Sequence, residues 1–111
     1  MYPISQCSLE IVEQAASKLR GGAVVAFPTE TVYGLGVDAE NESAIARMYQ
    51  IKGRPADHPV IVHIADVNEV NYWASEIPEY AILLMRKFWP GPMTLILPRS
   101  SNAKDFITGG Q

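Results

Sequence analysis

Cysteine is nearly absent from this chain: Cys7 is the single one in 111 residues. One thiol excludes an internal disulfide framework and a thiolate metal cage. Histidine is scarce too, and His58 and His63 have no carboxylate or thiol pair beside them of the kind a metal site needs. No resident metal site is expected. No apolar run approaches the ~20 residues of a membrane helix, and Met1-Tyr2-Pro3-Ile4-Ser5 lacks the basic stretch that opens a secretory leader. A reducing, cytoplasmic setting without a membrane is the expectation. An excess of positive charge is also missing. Nine Lys and Arg stand against twelve Asp and Glu, for a formal net charge of -3. That argues against a sequence-independent nucleic-acid grip over the whole surface, though not against a local basic patch. Neither G-x-x-x-x-G-K-[ST] nor G-x-G-x-x-G occurs, which excludes a P-loop and a dinucleotide fingerprint. No Ser or Cys stands in a recognisable nucleophile setting, so covalent catalysis has no evident agent.

What is present is a globular chain. Hydrophobic residues make up 48% and charged ones 19%, enough to bury a core, and the length suits one domain. Ser8 is placed to cap a helix over Leu9–Arg20, with Leu9, Val12, Ala16 and Leu19 on one face and Gly21-Gly22 as its stop. Ala23–Phe27 is apolar throughout and reads as a central strand covered on both faces. Ser43–Ile51 reads as a second helix, with Ile45, Met48 and Tyr49 inward and Gly53 ending it. Pro59–Ile64 reads as a second buried strand and Val67–Ala74 as a short helix. Another helix starts at Pro78, with Ala81, Leu84, Met85 and Phe88 on its apolar side. Trp89-Pro90-Gly91-Pro92 forms a rigid turn, and Met93–Leu97 a third strand. Helices alternating with apolar strands give an α/β class.

Two segments carry the candidate chemistry. Phe27-Pro28-Thr29-Glu30-Thr31-Val32-Tyr33-Gly34-Leu35-Gly36 follows the end of the first strand, where open α/β sheets bind ligands. Its threonine hydroxyls both donate and accept, which suits the amino and carboxylate groups of an amino acid. A capped turn with Tyr33 in the core is the plain alternative. Lys52 and Arg54 flank Gly53, and in an extended Lys-Gly-Arg both side chains lean to one face. Two converging cations favour an anion between them, Arg offering a planar fork for phosphate or carboxylate and Lys a movable charge. The alternative is a solvated helix end, where cations are welcome in any case. His63 shares a strand face with Ile61 and Ala65 and reads first as a core histidine; His58 reads as a solvated loop residue. Arg86-Lys87 beside Phe88-Trp89 has the basic and aromatic mix of a small nucleic-acid contact, and is better explained as a helix end packed on its aromatic neighbours.

Three motifs stand in order: Pro28-Thr-Glu-Thr-Val-Tyr-Gly-Leu-Gly36, Lys52-Gly-Arg-Pro-Ala-Asp-His-Pro-Val-Ile-Val-His-Ile64 and Phe88-Trp-Pro-Gly-Pro-Met-Thr94. Together they resemble the YrdC family of threonylcarbamoyl-AMP synthases, from about Ser8 to Gln111. Val60 and Met93, where leucine is common, conserve size and polarity. The resemblance implies a twisted open mixed α/β sheet with flanking helices, with residues 1–111 as the N-terminal portion of a single YrdC-like domain. It implies that L-threonine, bicarbonate or CO2, and ATP give threonylcarbamoyl-adenylate and pyrophosphate. ATP enters as a substrate, with Mg²⁺ accompanying it. Other proteins then pass the threonylcarbamoyl group to tRNA. Carried over by residue, Thr31 and His63 would contact threonine, Thr29 and Tyr33 would line its pocket, Lys52 and Arg54 would act on ATP phosphates and the developing carboxylate, and His58 would lie near the nucleotide. The family domain is expected to continue past Gln111 into a Ser-x-Asn motif that binds the nucleotide. The competing readings are an RNA-binding YrdC-like module without synthase activity, and an inactive fragment.

Overall fold

A computed structural model describes residues 8–29, 31–55 and 58–111. Cys7 and Glu30 lie outside the described residues. The chain divides into two compact units, Met1–His58 and Pro59–Gln111.

The first unit opens with helix α1, Leu9–Arg20, whose cap is the one expected. Ser8 is extended, and its Oγ accepts the Ile11 amide at 3.2 Å, satisfying an amide that the helix leaves without a carbonyl partner. The inward row differs from the expected one. Leu9 and Val12 are exposed, while Ile11, Ala15, Ala16 and Leu19 are half-buried. Ala16 and Leu19 of the expected stripe are inward, and Ile11 and Ala15 take the places of Leu9 and Val12 on the half-buried face, Ile11, Ala15 and Leu19 standing i, i+4, i+8.

Strand β1, Val25–Phe27, pairs antiparallel with β2, Gly34–Gly36, in the register Val25↔Gly36, Ala26↔Leu35 and Phe27↔Gly34. The expected central strand is therefore one arm of a two-stranded hairpin, and Ala26 and Phe27 are exposed rather than covered on both faces. Its partner carries little β signal because it is mostly glycine. The reason lies in Phe27: a Cβ on Gly36 would sit 2.6 Å from Phe27 Cε1, so the ring occupies the space a side chain would need.

Helix α2, Glu42–Lys52, matches expectation closely. Asn41 Oδ1 caps it by accepting the Ala44 amide at 3.0 Å, and Ala44, Ile45, Met48 and Tyr49 are buried. Gly53 adopts φ 67°, the left-handed conformation that ends helices at low cost. Arg47 Nη1 donates to the Gly22 carbonyl at 3.1 Å and ties the helix to the turn after α1.

In the second unit a single 3₁₀ turn at Val67–Glu69, capped by Asp66, leads into α3, Val70–Trp73. Helix α4 spans Glu79–Phe88 and α5 Asp105–Thr108. Val70, Ala81 and Met85 form the buried centre, with Ile64, Ala74, Ile77, Trp89, Leu95 and Leu97 packed on it. Phe88, expected on the apolar side of α4, is exposed. The expected strands at 59–64 and 93–97 form no ladder among the described residues. Both still alternate as strands do: Val60, Val62 and Ile64 are half-buried between exposed Ile61 and His63, and Met93, Leu95 and Leu97 between exposed Thr94 and Ile96. Apolar runs read as doubly covered strands, but here only every second residue finds cover. Arg99 staples the end of the unit, donating from Nη1 to the Ala103 carbonyl and Thr108 Oγ1, each at 3.0 Å, and pairing with Asp105 at 2.8 Å.

Ile45 is 2% exposed and Ile51 is 58% exposed on the same helix. Ile45→Ala is expected to destabilise the first unit by about 2–5 kcal/mol, and Ile51→Ala by about 0.5 kcal/mol or less. Urea denaturation of the two variants checks the contrast.

Candidate functional site

The hairpin register places Phe27 opposite Gly34, so the chain reverses direction between those two residues. Thr29 closes that reversal: its Oγ1 donates to the Val32 carbonyl and accepts the Thr31 amide at 3.3 Å. Thr29, Thr31, Val32 and Tyr33 are all exposed, with Tyr33 72% accessible. Tyr33 is thus a displayed aromatic side chain and not a core residue. No hydrogen bond engages the Thr31 hydroxyl among the described residues.

Lys52 is the last residue of α2, Gly53 turns left-handed, and Arg54 follows. The Gly53 and Arg54 amides return to the carbonyls of Gln50 and Tyr49, each at 3.2 Å, the double closure that ends a helix on glycine. The expected extended Lys-Gly-Arg is therefore replaced by a helix terminus, because the orphan carbonyls of α2 take these amides first. Lys52 and Arg54 are both exposed, and neither forms an ion pair among the described residues. Their charges lie at the helix end where the backbone dipole favours cations, so both remain available to an external anion. Tyr49 secures the following loop: its buried ring delivers a hydroxyl to the His58 carbonyl, and the His58 amide donates to Pro55 at 3.2 Å. The sequence marks Tyr49 as core only; a buried tyrosine that must place its hydroxyl was the available signal. His58 is exposed, as expected.

His63 lies in the second unit and is exposed with Ile61, on the side of segment 59–64 away from the packed centre. It is not the core histidine that its apolar neighbours indicate. The structure thus brings Thr29, Thr31 and Tyr33 into one turn, and Lys52, Arg54 and His58 round one helix terminus. At the end of α4, Lys87 Nζ lies 5.6 Å from the Phe88 ring centre and Trp89 Nε1 donates to the Met93 carbonyl at 2.8 Å, so the basic-aromatic cluster is engaged as a helix end. A Ser-x-Asn string not singled out from sequence stands at Ser100–Asn102. Ser100 Oγ and Asn102 Nδ2 both donate to the Tyr72 carbonyl, at 2.5 and 2.9 Å, which makes it a structural clasp. A shallow concavity lined by Arg99, Ser100, Lys104, Asp105 and Phe106 contains none of the candidate residues. No group of three or more His, Cys, Asp or Glu is placed to hold a metal ion among the described residues, and no helix among them is long and apolar enough to cross a membrane.

Residues 17–111 match the family model Sua5_yciO_yrdC, described as "Telomere recombination". A threonylcarbamoyl-AMP synthase of Pyrococcus abyssi is 54% identical over 96 residues, covering 86% of this chain and 28% of that protein. One from Bacillus subtilis is 53% identical over 92 residues, covering 83% of this chain and 27% of that protein. The crystal structure of P. abyssi Sua5 complexed with L-threonine superposes with a TM-score of 0.89 at 48% identity, over 96% of this chain and 32% of that one. The chain thus spans less than a third of the length of these relatives. With a family match across most of its length, this chain belongs to the Sua5/YciO/YrdC family.

Proposed function

We propose that this chain carries part of the substrate site of a threonylcarbamoyl-AMP synthase, and that residues 1–111 are the N-terminal portion of a single YrdC-like domain. The observation that supports this most is the exposure of every candidate side chain. Thr31, Tyr33, Lys52, Arg54, His58 and His63 all face outward in a chain related to synthases and to a protein complexed with L-threonine. The apolar neighbours of His63, Val62 and Ile64, would otherwise place it in a core.

In this reading L-threonine is contacted by Thr31 and His63 and bordered by Thr29 and Tyr33. Lys52 and Arg54 act on the ATP phosphates and the carboxylate that forms, and His58 lies near the nucleotide. The unprotonated threonine amine attacks the carbon of CO2, releasing one proton to solvent, or of bicarbonate with loss of water, and a C–N bond forms. An oxygen of the resulting carbamate then attacks the α-phosphorus of ATP and pyrophosphate leaves. Both steps need orientation and stabilisation of negative charge more than a protein nucleophile. Cations and hydroxyls on short, anchored segments supply that. Mg²⁺ enters with ATP, whose phosphates need few protein ligands to hold it. Transfer of the threonylcarbamoyl group to tRNA by further proteins, in the cytoplasm, completes the proposal.

In a full-length version, Arg54→Ala is expected to lower adenylate formation at least tenfold, the loss of a charge-assisted bond to phosphate being worth roughly 1.5–3 kcal/mol. Arg54→Lys should also be poor, because the planar fork is gone. ATP–pyrophosphate exchange with L-threonine and bicarbonate measures both, and near-wild-type turnover of the alanine variant contradicts the assignment. Thr31→Val should weaken L-threonine binding more than ATP binding, since only the hydroxyl is removed. Calorimetric titration of each ligand checks this, and equal effects on the two would reduce Thr31 to a turn residue.

A further inference from the structure

The two threonines of the turn have different work. Thr29 Oγ1 donates its one proton to the Val32 carbonyl and accepts the Thr31 amide. The hydroxyl is therefore engaged twice within the turn, once as donor and once as acceptor. A hydroxyl has one proton to give. With that proton on Val32, Thr29 has none for a carboxylate, which only accepts. Thr31 is exposed, and its hydroxyl is free among the described residues, so it retains a donor.

We propose that Thr29 is a positioning residue: its hydroxyl fixes the Thr31 amide and the Val32 carbonyl, and so presents the Thr31 hydroxyl as the donor for the carboxylate of an amino-acid ligand. This rests on the L-threonine reading above and assigns the two hydroxyls separate roles within it.

The test uses Thr29→Val, Thr29→Ser, Thr31→Val and the double valine variant. Amide hydrogen exchange at Thr31, followed by NMR without ligand, should be severalfold faster in Thr29→Val and unchanged in Thr29→Ser. L-threonine affinity should fall about tenfold in Thr29→Val, the size of one lost hydrogen bond, with recovery in Thr29→Ser and no change in ATP affinity. The double variant should bind L-threonine no worse than Thr31→Val, because Thr29 acts through Thr31. Additive losses would mean that Thr29 touches the ligand itself, and unchanged Thr31 exchange in Thr29→Val would mean that it holds nothing; either overturns the proposal. Absence of L-threonine binding by the wild-type chain would instead remove the functional reading, while the exchange measurement still decides whether Thr29 holds Thr31.

Discussion

The Phe27 ring lies across Gly34 and Gly36, and the presentation of the turn after β1 depends on that contact. The ring leaves no room for a Cβ at Gly36, which fits the glycine that β2 places opposite Val25 in the observed register. That register brings Phe27 opposite Gly34, with the chain reversing between them. Thr29 then bridges the turn from inside, and Thr31, Val32 and Tyr33 are left outward. A loop with exposed apolar side chains is costly to order by itself. Here the ordering comes from packing and hydrogen bonds at its base.

The cations are anchored by a different device. Asn41 starts α2, four buried residues fix its inner face, and left-handed Gly53 ends it. Lys52 and Arg54 on either side of that glycine inherit a defined place without a carboxylate to neutralise them among the described residues. The helix dipole offsets part of their mutual repulsion. Tyr49 holds the Arg54 amide with its carbonyl and the His58 carbonyl with its hydroxyl. The same helix therefore contributes core on one face and charge at its end.

Local signals were legible where the physics is local. Ser8 and Gly53 act within three residues of the groups they satisfy, and with Gly21-Gly22 they let the helix limits at Leu9, Arg20 and Gly53 be read directly. Asn41 caps α2 in the same way but is not singled out in the sequence, where that helix reads as starting at Ser43. The α/β class was legible from alternation of helical and apolar segments. Strand pairing was not, because it depends on what lies across the chain. Gly34–Gly36 looks like a turn until Phe27 is seen above it, and 59–64 and 93–97 look like buried strands although Ile61 and Ile96 are exposed. The candidate site was legible by residue type and not by conformation. Thr31, Lys52, Arg54 and His58 were expected to be accessible and are; Tyr33, for which a core position was the plain alternative, is exposed, and so is His63, which read as core from its neighbours. The internal role of the Thr29 hydroxyl needs coordinates, since sequence does not distinguish a threonine that binds a ligand from one that binds its own loop.

The central claim is that the turn at 28–33 receives the amino acid. Titration of isotope-labelled protein with L-threonine, read as amide chemical-shift changes, tests it most directly. The account predicts the largest changes at Thr31, Val32, Tyr33 and Gly34, with the Arg99–Phe106 region unmoved. Changes centred on that second region, or none in the turn at saturating L-threonine, would contradict it.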